Sequence, residues 1–415
     1  MGVKKESILR YDFLYICLLI VLLGVGSCFD SRDLAEERAH RANNSRSDQK
    51  ILVGAVAPWQ DLRKKSMYRK GLELALQKVN QHKVLGREIE LIWKDDHGSL
   101  KKSREIAQEL AENPDIVAVI GHYYSGPTLS VSLMYEHYGL LMITGIASST
   151  EITNRQGLDL VFQNIPTNRK MAMQLAKFCH NKNYRRMIIY NVNTSYGRDL
   201  ATAFENRSHH LGIEILDQRS FPPGASTVQF KEHIKRWKEY YNFDALFLPA
   251  LTPEGPKFIE QCKKMDLDVP IISADGLDTP ELWEIGGNYT EGTIVGSIFH
   301  PGEPRKKAQD FVQDFRDQFG KQPDTWAAQG YDTLNVLAHA MRLAGTTIPS
   351  KVAENLRKME KYNGVTGKFN FGKRGQQLAN NIVLQKVQDQ QFTYLSTHNS
   401  SAIDNNIQQS KRTVP

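Results

Sequence analysis

Residues 116–127 read IVAVIGHYYSGP, and this stretch decides the fold. Its first five residues form a continuous apolar run, which is typical of a strand buried on both faces of a sheet. A glycine and a short loop follow, and Pro127 then stands in the first turn of a helix, where a missing N–H costs nothing. The stretch therefore predicts one strand–loop–helix unit.

The same alternation of strands and helices extends in both directions. Residues 51–57 are strand-like, and residues 72–79 place apolar side chains at i, i+3, i+4 and i+7 on one helix face. After Pro166 the pattern begins again, with strands predicted at 187–190, 213–216, 245–248, 271–273, 382–387 and 392–395. Repeated strand–helix units predict an α/β fold with two lobes, each a doubly wound and mainly parallel sheet.

The N-terminal segment does not share this pattern. Lys4, Lys5 and Arg10 precede an apolar run at 13–25, which predicts an export signal. The run is shorter than the roughly 20 residues of a membrane span, and it ends in the residues VGSC. These residues resemble a bacterial lipobox, which implies cleavage before Cys28 and attachment of lipid to its thiol. Ordinary cleavage and an uncleaved anchor are the alternatives.

Two further segments are predicted to lie outside the folded lobes. Residues 29–50 are rich in charged and polar side chains and hold too few apolar ones to offset the entropy cost of ordering them. They are expected to form a tether that follows the leader at 1–28. Residues 399–415 are expected to form a disordered tail.

Two cysteines, Cys179 and Cys262, lie beyond the leader. One pair is not the cysteine-dense framework of a small disulfide scaffold. Cys262 shares a helical spacing with Phe258 and Ile259, which is typical of a core face. Both side chains are therefore predicted to be buried free thiols.

Charge and motifs exclude two broad classes of function. The formal net charge is +7, but no basic run is interleaved with aromatic residues, as a nucleic-acid surface would require. The sequence holds no G-x-S-x-G, H-E-x-x-H or G-x-x-x-x-G-K-S/T pattern, and no G-x-G-x-x-G follows the first strand. We therefore expect a protein that is not an enzyme, binds no nucleic acid and needs no cofactor or metal.

Three stretches carry a resemblance to a known family: VIGHYYS at 119–125, YEHYGLLMIT at 135–144 and ASSTEIT at 147–153. Their order and spacing are similar to the Leu/Ile/Val-binding family of type I periplasmic binding proteins, which are substrate receptors of ABC importers. The similarity runs from about residue 51 to residue 395 and includes Asp275-Gly276 near a later strand end. No single motif is specific, but their combination is.

The resemblance implies a two-lobe architecture with a discontinuous first lobe. Three crossings are expected between the lobes, near residues 163–168, 296–300 and 364–369. The first lobe would hold residues 51–164 and 299–366. The second lobe would hold residues 165–298 and 367–398.

The resemblance also implies five ligand-binding residues. In the first lobe these are Ser125, Ala147 and Ser148, and in the second lobe they are Tyr196 and Asp275. Ser125 stands at a helix N-terminus, where free N–H groups favour a carboxylate, and Asp275 would form a charge-assisted bond to an amine. Each also fits a structural role, Ser125 as a helix cap and Asp275 as a turn residue.

Three aromatic residues, Trp59, Tyr123 and Tyr124, could supply a stacking surface at the mouth of the cleft, and packing against neighbouring loops is the alternative. The sequence departs from the family at two loops. The first reads PWQD at 58–61 without the usual Ser-Gly-Pro, and PALTPE at 249–254 lacks the aromatic residue that often precedes Pro-Glu. The side chain of the ligand is therefore not predicted.

Together these features predict an exported receptor, anchored through Cys28 on the periplasmic or extracellular face of a membrane. It would close its lobes on a small polar ligand, an amino acid or a related amide or carboxylate, and deliver it to an ABC permease. The alternative is a sensor of the same fold that reports the ligand to a membrane receptor or kinase.

Overall fold

The structure, a computed structural model, describes Arg41, residues 49–379 and residues 382–397. The predicted export signal, Cys28 and the C-terminal tail lie outside the described residues. Arg41 falls within the segment predicted as a tether, and its guanidinium is buried. It donates hydrogen bonds to the carbonyl oxygens of Ala111 (2.6 Å), Ile116 (2.9 Å) and Tyr138 (2.6 Å). One point of the tether is therefore held against the first lobe.

Each lobe is built on one sheet, as the sequence predicted. The first sheet is parallel, has the order β2-β1-β3-β4-β5, and consists of β1 (Ile51–Ala57), β2 (Ile89–Asp95), β3 (Ile116–Ile120), β4 (Leu141–Thr144) and β5 (Val161–Gln163). The second sheet has the order β14-β13-β10-β9-β8-β6-β7. Its parallel strands are β6 (Arg186–Val192), β7 (Glu214–Phe221), β8 (Ala245–Leu248), β9 (Ile271–Ser273) and β10 (Ile294–Ser297).

The remaining strands are antiparallel. A separate pair joins β11 (Tyr362–Gly364) to β12 (Gly367–Phe369). At the edge of the second sheet, β13 (Val383–Gln388) pairs with β10, and β14 (Gln391–Thr397) pairs with β13.

Helices cover the sheets and connect their parallel strands. In chain order they are α1 (Trp59–Lys65), α2 (Tyr68–His82), α3 (Leu100–Glu112), α4 (Ser125–His137), α5 (Glu151–Asn154), α6 (Asn168–Asn181), α7 (Ser195–His210), α8 (Thr227–Tyr240), α9 (Glu254–Lys264), α10 (Glu281–Gly286), α11 (Lys306–Phe319), α12 (Thr325–Ala344) and α13 (Pro349–Lys358). None of the helices in the described residues combines the length and hydrophobicity that crossing a bilayer requires.

Helix α12 packs tightly on α2, so a late segment of the chain completes the first lobe. The two helices cross at glycines. A Cβ atom on Gly71 would lie 2.0 Å from the carbonyl oxygen of Ala327, and one on Gly330 would lie 2.5 Å from that of Tyr68. Such distances are far below van der Waals contact, so the crossing requires residues without side chains.

The third crossing between the lobes lies later in the chain than residues 364–369. Phe371 packs edge-to-face on Phe162 of β5, with ring centroids 5.6 Å apart. The N–H of Gln377 donates to the carbonyl oxygen of Gln163 (3.0 Å). The segment thus stays against the first sheet, and the chain joins the second sheet only at Val383. The predicted start of the last second-lobe segment, residue 367, is therefore too early.

Cys179 and Cys262 are free, and both are completely buried in the core of the second lobe. Burial disfavours the thiolate and raises the pKa of each thiol far above its ordinary value. The prediction of buried free thiols is confirmed.

Candidate ligand-binding cleft

A cavity of about 500 Å³ lies between the two lobes. Its walls come from loops at the carboxyl ends of strands in both sheets, where parallel α/β proteins bind ligands. The first lobe contributes Leu62, Lys65, Gly98, Leu100, Tyr123, Tyr124, Ser125, Gly126, Pro127, Ile146, Ala147, Ser148 and Trp326. The second lobe contributes Asn193, Thr194, Ser195, Tyr196, Arg198, Pro223, Leu251, Thr252, Asp275, Gly276 and Thr279.

Ser125 is the first residue of α4 and is nearly buried at 4% exposure. The helix is capped by Tyr124 without a side-chain hydrogen bond, and the Ser125 hydroxyl instead accepts the N–H of Ser149 (3.2 Å). The first intrahelical bond runs from the N–H of Thr128 to Tyr124 (3.1 Å). The N–H groups of Ser125 and Gly126 therefore precede the hydrogen-bonded turn, and the positive end of the helix dipole faces the cavity.

Ala147 and Ser148 lie in the loop after β4. The hydroxyl of Thr144 accepts the N–H of Ala147 (3.0 Å), and the carbonyl oxygen of Ala147 accepts the side-chain amide of Gln163 (2.9 Å). The carbonyl oxygen of Ser148 accepts the N–H of Asn168 (2.7 Å), at the start of α6. The loop is thus fixed at both ends, and a carbonyl oxygen keeps a second lone pair for a ligand.

Asp275 is the carboxylate of the second lobe that lines the cleft, and it is 3% exposed. The hydroxyl of Tyr196 donates to its Oδ1 (2.8 Å), and the N–H of Gly276 donates to the Tyr196 oxygen (2.8 Å). Burial raises the pKa of Asp275 to about 6, although these hydrogen bonds act in the opposite direction. In the part of the chain that the structure describes, no cationic side chain forms an ion pair with it.

Tyr123 and Tyr124 line the cleft and contact each other, with ring centroids 5.2 Å apart. Trp59 does not line it. Its indole N–H donates to the carbonyl oxygen of Ala55 (3.2 Å), and its ring packs edge-to-face on Trp93 at 4.9 Å. The prediction of Trp59 as a ligand contact is therefore wrong, because the ring packs into the first-lobe core behind the cleft.

Trp326 supplies the tryptophan of the cleft, and sequence reasoning did not single it out. Its indole N–H donates to the carbonyl oxygen of Asp278 (3.0 Å), and its ring lies 6.2 Å from that of Tyr123. The residue lies in the first turn of α12, far in sequence from the other cleft residues of the first lobe. Only the packing of α12 on α2 brings it to the cleft.

The cleft also has an apolar wall and two cations that the sequence did not indicate. Aliphatic side chains from both lobes form the wall: Leu62, Leu100, Ile146 and Leu251. Lys65 pairs with Glu281 (3.5 Å), and Arg198 donates to the side-chain oxygen of Asn193 (2.8 Å). The charge of Lys65 is therefore compensated by a carboxylate, whereas the partner of Arg198 is neutral.

A buried polar network supports the loop that carries Tyr123 to Ser125. His122 contacts Asp96 through Nδ1 (2.7 Å) and the hydroxyl of Tyr135 through Nε2 (3.1 Å). Burial alone would raise the pKa of Asp96, but the hydrogen bond and charge of His122 outweigh it, so this pKa is lowered. The His122 carbonyl oxygen also accepts the hydroxyl of Thr144 (3.0 Å). The ligand-facing loop is thereby tied to α4 and β4.

The two lobes touch on both sides of the cleft. On one side, the Thr279 hydroxyl donates to the carbonyl oxygen of Lys65 (3.1 Å). On the other side, the N–H of Thr150 donates to Asp199 of α7 (2.6 Å). Polar contacts of this kind can form and break as hinged lobes move.

Two α/β lobes that enclose a polar-ended cavity between strand-end loops define a class, the bilobed solute-binding proteins. The family model for periplasmic binding proteins matches residues 64–391, and the chain belongs to this family. The resemblance to Leu/Ile/Val-binding proteins is thereby confirmed, and members of the family are binding proteins and not enzymes.

Named relatives agree with this placement. The Leu/Ile/Val-binding protein homolog 1 of Brucella suis is 27% identical over 79% of this chain and 88% of its own length. The leucine-, isoleucine-, valine-, threonine- and alanine-binding protein of Pseudomonas aeruginosa is 25% identical over 78% of this chain and 84% of its own. An ABC transporter substrate-binding protein from Desulfitobacterium hafniense, solved in complex with Leu, is 33% identical, covers 84% of this chain and 100% of its own, and superposes with a TM-score of 0.76.

Proposed function

We propose that this chain is an exported receptor that captures an α-amino acid with an apolar side chain and delivers it to an ABC importer. The observation that carries the proposal is the chemistry of the two cleft walls. One wall holds the buried carboxylate of Asp275, and the other holds the N-terminus of α4 at Ser125. A zwitterion offers an ammonium group to the first and a carboxylate to the second.

The ammonium group would bind Asp275. A carboxylate buried without a cationic partner pays a desolvation cost, which raises its pKa, and a bound ammonium group offsets that cost. Tyr196 holds the carboxylate in place through its hydroxyl, itself fixed by the Gly276 N–H. The resulting bond is charge-assisted and strengthens as closure of the lobes expels water.

The carboxylate end would bind the first lobe. The N–H groups at the start of α4 and the hydroxyls of Ser125 and Ser148 provide donors there. The side chain would lie against Leu62, Leu100, Ile146 and Leu251, where apolar surface is favoured. The solved relative in complex with Leu, at 33% identity, supports an aliphatic ligand.

Closure follows from the division of the site between the lobes. A ligand that touches both Ser125 and Asp275 binds the closed form better than the open form, and it shifts the equilibrium by that difference in affinity. An importer would recognise the closed surface. The solved relative from Desulfitobacterium hafniense is named as an ABC transporter substrate-binding protein, so delivery to an importer takes precedence over the sensor alternative.

Calorimetric titration of the purified protein with leucine, isoleucine, valine, threonine and alanine tests the proposal. Leucine should bind, and two analogues that each lack one charged end, 4-methylpentanoate and 3-methylbutylamine, should bind at least tenfold more weakly. Equal affinity for leucine and for either analogue would contradict a site that reads both ends of a zwitterion.

We also propose that Cys28 carries a lipid that holds the receptor at the membrane. The support is the export-signal pattern that ends at this residue. Cys28→Ser should move the protein from the membrane fraction to the soluble exported fraction, because burial of acyl chains would be lost. A variant that stays with the membrane would point to an uncleaved apolar segment as the anchor.

A further inference from the structure

A second cavity lies beside the hinge and is separate from the cleft. It has a volume of about 770 Å³ and is called the hinge groove here. Its walls are α5, α6 from Arg169 to Lys177, the end of α7 at Arg207, and the crossing segment 372–378. The segment 148–150 separates it from the cleft, since Ser148 lines the cleft and Thr150 lines the groove.

The hinge groove is strongly basic. Six cationic side chains line it, and no carboxylate does: Arg169, Lys170, Lys177, Arg207, Lys373 and Arg374. Among the residues that the structure describes, none of the six forms an ion pair. The nearby carboxylate of Asp199 accepts the N–H of Thr150 and is not part of the lining. Like charges in one groove repel each other, so the groove attracts anions.

The partial burial of Lys170 adds to the attraction of the groove for anions. Its ammonium group donates to the carbonyl oxygens of Gln377 (2.8 Å) and Ala379 (3.2 Å) on the crossing segment. Desolvation lowers its pKa to about 8, because the groove provides no negative charge to compensate it. An anion in the groove would supply that charge and would contact residues of both lobes.

Three polar atoms of the lining are buried without a hydrogen-bond partner: Nε of Arg207 and Oε1 of Gln174 and Gln376. Burying a polar group without a hydrogen bond is unfavourable, so native structures rarely leave several such groups in one place. The guanidinium donates only, whereas each side-chain amide can turn to donate or accept. The three side chains line the groove, but these particular atoms are shielded from solvent.

A second basic groove lacks the two features that mark the hinge groove, namely a lining without carboxylates and buried atoms without hydrogen-bond partners. It includes Arg342, Lys358 and Lys361, but Glu360 also lines it and Lys358 pairs with Glu354 (2.5 Å). None of the partnerless buried atoms found in the described residues belongs to its lining.

We propose that the hinge groove is a binding site for a compact polyanion, a small molecule with two or more carboxylate or phosphate groups. The volume lies within the range of about 300–1,000 Å³ typical of small-molecule sites. Its lining offers Arg guanidinium and Lys ammonium groups together, and both bind carboxylate and phosphate oxygens through charge-assisted hydrogen bonds.

Calorimetric titration of the full-length protein with pyrophosphate, citrate and chloride at constant ionic strength tests this proposal. Pyrophosphate or citrate should bind with a stoichiometry of one, and chloride should not compete. The double variant Lys177→Gln/Arg207→Gln should lose at least tenfold in affinity. The second double variant, Lys373→Gln/Arg374→Gln, should also weaken binding. Because both of its side chains are exposed, it should fold normally, so it controls for a folding defect in the first variant.

The matched control is Arg342→Gln/Lys361→Gln, which removes the same charge from the second basic groove and should change affinity less than twofold. Equal weakening in this control would overturn the proposal by showing non-specific charge attraction. So would tighter binding of a hexa-glutamate peptide than of either small anion, which would make the groove a protein contact. Asp275→Asn changes the cleft and should leave anion binding to the hinge groove intact. The experiment therefore tests the hinge groove independently of the proposed function of the cleft.

Discussion

Asp275 is the residue on which the proposed binding of an amino acid depends. It is buried, and in the described part of the chain its partners are the neutral Tyr196 hydroxyl and backbone, not a cation. A carboxylate in such surroundings is suited to bind an ammonium group, because folding has already desolvated it. Gly276 is required beside it, since a Cβ there would lie 2.7 Å from the Tyr196 oxygen.

Asp275→Asn should weaken leucine binding by roughly 100-fold or more, because the ammonium group would be buried without its counter-charge. Calorimetric titration at pH 7.5 measures the change. Asp278→Asn is the matched control, as Asp278 is also buried but bonds Ser297 and Gln385 instead of lining the cleft. Loss of affinity of the same size in both variants would mean that the effect is structural.

Leucine affinity should also depend on pH. Burial raises the pKa of Asp275 to about 6, so the carboxylate is charged above this pH and protonated below it. Binding an ammonium group needs the charged form, so the dissociation constant should be constant above about pH 7 and should rise by up to about tenfold per pH unit below 6. The dissociation constant of Asp275→Asn should vary much less. A flat profile down to pH 4.5 in the unmutated protein would remove Asp275 from the ammonium site.

Residue types at strand ends could be predicted from the sequence, but their surroundings could not. Ser125, Ser148, Tyr196 and Asp275 follow strands whose carboxyl ends converge, and they line one cavity. Trp59 also follows a strand, yet its large ring turns into the core, where Trp93 and Tyr68 pack on it. The choice between cleft and core depends on neighbours that are distant in sequence.

Among the elements, the crossing of α2 and α12 stabilises the first lobe and also positions a residue of the cleft. Helix α12 carries Trp326 to the cavity, and its Gly330 allows the close approach to Tyr68 on α2. The hydrophobic periodicity of α12 does not predict this contact, because the buried residues of the helix lie on all of its sides. The position of the third crossing could not be predicted for a similar reason. It depends on the contacts of Phe371 and Gln377 with β5, which is distant in sequence.

Gly330→Ala should destabilise the ligand-free protein by about 1–3 kcal/mol, because the added methyl group would force the two helices apart. Urea unfolding followed by circular dichroism measures the change. Gly126→Ala serves as the control, since a Cβ there would meet only Leu100 at 3.7 Å, an ordinary contact. Equal stability of the Gly330 variant and the unmutated protein would show that the crossing has room to relax.

At the scale of the whole molecule, the proposed function depends on relative movement of the lobes. Polar contacts join the lobes at both rims of the cleft, as between Thr279 and Lys65 and between Thr150 and Asp199. Such contacts hold a closed form only weakly without a ligand. The division of the molecule into two lobes followed from the alternation of strands and helices, whereas the contacts across the rims depend on three-dimensional placement.

Leucine should compact the molecule in solution. Small-angle scattering should give a smaller radius of gyration with saturating leucine than without it, since the ligand favours the form in which both lobes contact it. Asp275→Asn at the same leucine concentration should keep the larger radius. Identical scattering curves for the unmutated protein with and without leucine would contradict a hinged receptor.

The two inert thiols of the second lobe have a practical consequence for measuring this movement. Cys179 and Cys262 are fully buried and hard to deprotonate, so maleimide dyes should leave them unmodified in the native state. A single cysteine introduced on an exposed rim, in a chain trimmed of the leader, would then be labelled selectively. Fluorescence at that position would follow opening and closing without first replacing any native core residue.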